Sequence, residues 1–186
     1  LALMMLPFTP HLSEEIWHLI RAEGFASMQK WPSYDENKID KKAEAIAELL
    51  NNTRKDIIEI MRLANIEKPK KITLFIPEKW KYSFMQKLVT EMAKTRNQGD
   101  IMKAVMSNDL KKYGQEISRL VPKLLNDPAK IPQAVLSQEA EFDALKDAAA
   151  DYVKEFGCKV DVASELGSKN PKSRQALPGK AAILVE

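Results

Sequence analysis

Pro7-Phe8-Thr9-Pro10-His11-Leu12-Ser13-Glu14-Glu15-Ile16-Trp17, answered downstream by Trp31-Pro32, is the stretch whose reading decides the fold. Physically it is a helix entrance. Thr9 is a good N-cap, and Pro10 at the first helical position gives up only an amide that would have no intrahelical partner. Glu14 and Glu15 lie near the positive end of the helix dipole, where carboxylates are favoured. Leu12, Ile16, Leu19 and Ile20 recur at helical spacing and form an apolar stripe. Gly24 suits a helix stop, and Pro32 bars helix at Trp31, so Trp31-Pro32-Ser33-Tyr34 reads as a connector.

Working outward, a second long helix is expected from Asp35–Asp40 to about Ala64. Its stripe is Ile46, Leu49, Leu50, Thr53, Ile57, Ile60, Met61 and Ala64, and it pairs on this reading with the Pro10–Glu23 helix as the end of a bundle. Leu1-Ala2-Leu3-Met4-Met5-Leu6 lacks a basic leader and a small-residue cleavage site. It reads as the inside of a buried helix whose protein continues upstream. The character changes at Lys68-Pro69. Lys71–Pro77 is rich in β-branched and aromatic residues and predicts a strand. Helical patterns follow at 78–94, 100–106, 109–125 and 138–156, with Pro122 expected to end or kink the third. Cys158–Ala163 and Ala181–Val185 predict two more strands, the latter after a Leu177-Pro178-Gly179-Lys180 turn. The expectation is an α+β, mainly helical protein. Residues 1–67 supply the last helices of a bundle, and residues 68–186 a small α/β domain with about three strands.

The chain has 186 residues, 45% hydrophobic and 30% charged, which suits a folded protein with a real core. Cys158 is the only cysteine, so an intramolecular disulfide and a cysteine-based metal site are excluded. Its alternating neighbourhood reads as an inward-facing strand position. No apolar run is long enough to span a bilayer, and the expected compartment is a reducing cytoplasm. The net charge of +3 hides an uneven distribution. Residues 68–135 carry fourteen Lys/Arg against six Asp/Glu, and residues 169–186 carry four against one. Residues 136–168 carry three against eight. Two basic blocks suggest a surface for a polyanion.

Catalytic and metal chemistry find little support. Glu15 and His18 share a helix face, but His11 and His18 are the only histidines, too few for a paired metal site. Gly179-Lys180 would end a phosphate-binding loop only with Gly at Arg174 and Ser or Thr at Ala181. Electrostatic recognition remains. Lys68, Lys70 and Lys71 flank the first strand, Lys103, Lys111, Lys112 and Lys123 are spread over the next helices, and Lys169, Lys172, Arg174 and Lys180 crowd the last loop. Loops are where phosphate and base-edge contacts concentrate, and the planar fork of Arg174 suits phosphate or guanine. Aromatic platforms are sparse, with Tyr82, Phe84 and Tyr113 equally suited to the core. The pattern favours shape recognition of structured RNA over single-strand binding.

The opening run is similar to the start of the helical anticodon-binding domain in class I aminoacyl-tRNA synthetases for large aliphatic amino acids. The leucyl, isoleucyl, valyl and methionyl enzymes share a Pro-Phe-x-Pro-His/Phe-x-x-Glu-Glu-x-Trp pattern and a later Trp-Pro. The end, Ala176-Leu177-Pro178-Gly179-Lys180-Ala181-Ala182-Ile183-Leu184-Val185-Glu186, resembles the carboxyl terminus of archaeal- and eukaryotic-type leucyl-tRNA synthetases. Ala181 stands where they have proline. Lys70–Pro77 followed by Lys79-Trp80-Lys81 resembles the same subfamily. The resemblance implies a tRNA-binding, carboxyl-terminal part of a ligase, with a bundle gripping the tRNA body and a terminal domain reading the long variable arm of leucine tRNA. Taken with the charge reading, this points Lys70, Lys71, Lys169, Lys172, Arg174 and Lys180 to tRNA, and no residue to catalysis or metal. ATP and magnesium are then used by the parent enzyme's upstream catalytic domains, which with an editing domain are this chain's intramolecular partners. Neither DNA nor a membrane is implied. An equivalent part of an isoleucyl, valyl or methionyl enzyme, or a protein-docking module of a synthetase assembly, are the alternatives.

Overall fold

A computed structural model of the chain describes residues 1–106, 109–132, 134–168 and 170–186. These form two compact units, Leu1–Asp40 and Lys41–Glu186.

In the first unit, helix α1 (Ala2–Met5) precedes α2 (Pro10–Leu19), with Pro10 at the first helical position. Thr9 is the N-cap residue, but its hydroxyl donates back to the Met5 carbonyl (3.3 Å) and caps no α2 amide. Glu14 also does something other than face the helix dipole. Its carboxylate accepts the amides of Ala26 (2.7 Å) and Ser27 (2.9 Å), closing a 3₁₀ turn at Ala26–Met28 onto α2. Hydrogen bonds from the Ser27 side chain and amide, then from the Ala26 amide, hold this carboxyl below the usual range. Several large apolar side chains stay in solvent, among them Phe8 (86% exposed), Met28 (81%) and Trp31 (63%).

The second unit is built on a three-stranded sheet of order β2-β1-β3. Its elements are α3 (Lys41–Leu63), β1 (Lys71–Ile76), α4 (Lys79–Met92), α5 (Gln98–Val105), α6 (Gly114–Asn126), α7 (Gln138–Phe156), β2 (Lys159–Ser164) and β3 (Ala182–Val185). The central strand β1 pairs parallel with β2, Lys71 opposite Lys159, and antiparallel with β3, Leu74 opposite Ile183. Alternation sends Ile72, Leu74 and Ile76 to one face, where they meet Leu49 and Ile57 of α3 and Leu145 and Tyr152 of α7. Ile183 and Val185 join this core, while Leu184 turns to the other face with Phe75, Ala163 and Ala182, as strand alternation predicts. A second core gathers Phe84, Met85 and Leu88 of α4 with Ile101 and Val105 of α5 and Ile117, Val121 and Leu124 of α6.

Two local expectations, the start of the second long helix and the course of the helix holding Pro122, are refined. The second long helix starts at Lys41, after a separate 3₁₀ turn at Glu36–Lys38. Its stripe is taken up by the sheet and α7. Arg54 reaches Glu155 of α7 with a two-pronged hydrogen bond (2.7 and 2.9 Å), and Tyr152 donates to the Leu50 carbonyl (2.9 Å). The change of composition at Lys68-Pro69 therefore lies between two elements of one compact unit. Finally, α6 runs through Pro122 to Asn126, preceded by a 3₁₀ turn at Lys111–Tyr113. Val121 and Leu124, both fully buried, hold it on α4 and α5 despite the missing amide.

Because α3 is part of the sheet's core, Ile57→Ala is expected to destabilise the 41–186 unit by about 2–5 kcal/mol. Urea unfolding followed by circular dichroism checks this, and a loss below about 1 kcal/mol is the signature of a surface helix instead.

Candidate nucleic-acid interface

Residues 171–180 link β2 to β3 and carry the basic side chains singled out above. The segment is a 3₁₀ helix at Pro171–Gln175 followed by a turn closed by the Leu177–Lys180 bridge. Asn170 begins it as a cap. Its side chain accepts the Lys172 amide (2.9 Å), and its carbonyl accepts the Ser173 hydroxyl (2.7 Å). Pro178 and Gly179 occupy the two central turn positions, with Gly179 at φ +78°, the pairing a type II turn requires. A Cβ on Gly179 would lie 2.9 Å from Cβ of Pro132, so close approach demands glycine as well.

Two buried side chains fix this loop from beneath. Lys81, fully buried on α4, makes an ion pair with Glu165 just after β2 (2.9 Å). Its ammonium also donates to the backbone carbonyls of Arg174 (2.8 Å) and Ala176 (2.9 Å). Its three donors are thus engaged by one carboxylate and two carbonyls. Glu165 in turn accepts the Glu78 amide (3.1 Å) at the start of α4, while its own amide donates to Ile76 (2.9 Å) and prolongs the β1–β2 ladder. The second pin is Glu141 in the first turn of α7. It accepts the Tyr82 hydroxyl (2.9 Å) and the Gly179 amide (3.2 Å) through one oxygen, and its other oxygen is buried without a partner among the described residues. Burial raises this carboxyl to about 7, against the two hydrogen bonds that favour its ionised form. Burial likewise raises the Tyr82 phenol far above its ordinary value, helped by the neighbouring Glu141 charge.

Five of the six assigned residues fall into two groups. Lys172, Arg174 and Lys180 are exposed on the one pinned loop, with Lys180 paired to Asp56 of α3 (3.3 Å). Lys70 and Lys71 sit at the opposite end of β1, where their amides donate to the Glu186 carbonyl (2.6 and 3.1 Å). The strand between is six residues long, which separates the groups by roughly 17 Å. Lys71 shares Asp161 with Lys159, at 3.0 and 3.2 Å. The hydrogen bond from Lys71, with help from Lys159, lowers the Asp161 carboxyl. Lys169 lies outside the described residues. Tyr82 and Phe84 are core residues, and Cys158 is buried against the sheet, its thiol raised by burial.

Sequence reasoning passed over Lys81, Glu141 and Glu165. Lys81 did carry a signal, for it stands three, four and seven residues before Phe84, Met85 and Leu88, inside the apolar stripe of α4. A lysine there must be paired or snorkel out.

The family described as anticodon-binding domain of tRNA ligase matches residues 1–112. Curated leucine–tRNA ligases are similar over nearly the whole chain. That of Methanocaldococcus jannaschii is 35% identical over 184 residues, covering 98% of this chain and 18% of the relative. That of Aeropyrum pernix is 33% identical over 187 residues, 99% of this chain and 19% of the relative. That of Methanothrix thermoacetophila is 36% identical over 197 residues, 98% of this chain and 20% of the relative. The chain thus spans about a fifth of the length of these relatives.

Two outcomes follow from the pins. Lys81→Met leaves Glu165 charged, buried and unpaired, and is expected to cost about 3–5 kcal/mol in urea unfolding. Glu141 holds its proton in the folded state to about pH 7 and releases it near 4.5 when unfolded. Its contribution to stability therefore falls as pH rises through that window and stays low above it, by up to about 3 kcal/mol. Glu141→Gln cannot ionise, so the difference in Tm between pH 5 and pH 8 should shrink. An unchanged difference would mean that Glu141 is already charged at pH 5.

Proposed function

Because this chain belongs to the anticodon-binding domain family of tRNA ligases, we propose that it is the tRNA-positioning, carboxyl-terminal part of an archaeal-type leucyl-tRNA ligase. One observation carries the leucyl reading. Similarity to leucine–tRNA ligases extends over 98% of the chain, far past residue 112 where the family match ends, and so takes in the pinned loop.

In this reading the ligase joins leucine to its tRNA at the expense of ATP, with the chemistry in upstream catalytic domains and an editing domain beside them. This chain supplies grip. Lys172 and Arg174 present cations that hold no carboxylate among the described residues, from a loop whose backbone is hydrogen-bonded inward, the arrangement needed to meet phosphates in one fixed geometry. Lys180 joins them when RNA displaces Asp56. Lys70 and Lys71 would meet a second stretch of the same tRNA. The long variable arm is the part of leucine tRNA assigned to the terminal loop, and the tRNA body to the helices. ATP and magnesium belong to the upstream domains. Among the described residues no group of three His, Cys, Asp or Glu side chains is placed to hold a metal. The exposed Phe8, Met28 and Trp31 are assigned to packing against other parts of the same protein. No helix among the described residues is long and apolar enough to cross a membrane.

The chain should bind leucine tRNA weakly, with log affinity falling against log salt at a slope of about −3 to −5, as for four to six neutralised phosphates. In the whole ligase, Arg174→Ala and Lys172→Ala should each raise the KM for tRNA about tenfold, the loss of one charge-assisted contact. Leucine-dependent pyrophosphate exchange should stay intact. Equal loss in both assays would mean that the residues support the fold or the active site.

A further inference from the structure

We propose that the groove at the start of α4, between Lys79 and Lys112, is a second contact for the RNA phosphate backbone and is continuous with the Arg174 loop. The proposal rests on the RNA reading above and extends it to residues outside the six assigned from sequence.

The groove is an open cavity of about 470 Å³, lined by Lys79, Lys87 and Lys112 with Ser83 and Gln86 as further polar groups. Asp109 is the one carboxylate on its described lining, so the local balance is positive. Its wall is the Trp80 ring stacked on Tyr113 (centroids 4.2 Å apart, 12° between planes). Trp80 is buried and offers no face to a base, while the half-buried Tyr113 ring carries the Lys112 ammonium over it. The groove accordingly fits backbone and not an unstacked base.

Ion pairing separates Lys79 and Lys112 from four other lysines of the basic block. Lys71, Lys81, Lys94 and Lys130 each hold a carboxylate of this chain. Lys79 and Lys112 have none among the described residues, and both are exposed. Lys112 instead lies over the Tyr113 ring (4.9 Å). A cation–π contact restricts the ammonium without neutralising it, so the charge stays available to an anion. Unpaired cations are the ones whose counterions RNA can release.

Continuity with the loop is a chain of contacts. The Arg174 carbonyl accepts from Lys81 (2.8 Å), the Lys81 ammonium lies 5.9 Å from the Trp80 ring, and that ring stacks on Tyr113 beneath Lys112. Leu177 of the loop also packs into the same core as Trp80. Loop and groove therefore share one support, the first turn of α4.

The test is a titration of the 186-residue chain with transcribed leucine tRNA across a salt series, for wild type, Lys79→Gln/Lys112→Gln, Arg174→Ala and a control of equal charge change, Lys103→Gln/Lys123→Gln. Glutamine keeps most of the aliphatic stem, and thermal melts establish that each variant is folded. The groove variant should lose about tenfold in affinity at moderate salt and flatten the log–log slope by about 1.5, as for two lost phosphate contacts. The control should change neither by more than about twofold. An unaltered slope in the groove variant beside weakened binding in Arg174→Ala overturns the groove and keeps the RNA reading. An equal loss in groove and control variants also overturns it, because diffuse charge then suffices. If no variant departs from wild type, the RNA reading itself falls along with the groove.

Discussion

The ion pair between Lys81 and Glu165, closed off from solvent, ties the start of α4 to two parts of the chain far from it in sequence. Lys81 belongs to the first turn of α4, Glu165 follows β2, and the two carbonyls that complete the site belong to the loop before β3. The parallel pairing of β1 and β2 puts the exits of both strands at one end of the sheet, where α4 also begins. Desolvating two charges costs several kcal/mol per ion, and their attraction offsets this only when the remaining donors and acceptors are satisfied. Here they are, by the Arg174 and Ala176 carbonyls on one side and the Glu78 amide on the other. What the pair contributes is therefore geometry more than net stability. An apolar pair of equal volume could fill the space, but it could not hold two carbonyls.

Glu141 works on the same loop by the opposite polarity. Lys81 takes carbonyls and Glu141 takes an amide, so the backbone of 174–179 is gripped as donor and as acceptor within six residues. A loop whose backbone is used inward leaves its side chains to point elsewhere. This explains how Arg174 can be exposed while its own carbonyl is held beneath it. Gly179 is the position where the constraint is tightest, since the turn, the Pro132 contact and the Glu141 bond all act on one residue.

Periodicity made most of the elements legible. The run Gln138–Phe156, bracketed by a Ser137 cap and a left-handed Gly157, is read from sequence to the residue because both ends carry their own chemistry. The alternation in Ala181–Val185 places Ile183 and Leu184 on opposite faces for the same local reason. What was not legible depends on partners distant in sequence. Nothing in 41–63 says whether its stripe will meet another helix or a sheet, since both are apolar surfaces, and it met β1, β3 and α7. Glu14 resembles a helix-dipole carboxylate until the chain returns with two amides at Ala26 and Ser27. The sequence singled out the basic loop but not what holds it, because Lys81 lies 84 residues from Glu165 and 93 from Arg174, and Glu141 lies 38 from Gly179.

Charge pairing also explains how a chain with a net charge of only +3 leaves locally positive patches. The acids are not spread evenly against the bases. Asp161 absorbs Lys71 and Lys159, Asp56 holds Lys180, and Glu165 is consumed inside. Lys172 and Arg174 hold no carboxylate among the described residues, and neither do Lys79 and Lys112. Within a Debye length of about 8 Å at physiological salt, it is such local imbalance and not the total that an approaching phosphate feels. Asp56 then has a distinct consequence. An RNA that takes Lys180 must displace a carboxylate of the protein, so that contact adds less affinity than an unpaired lysine and discriminates more sharply against a backbone that does not approach α3 closely.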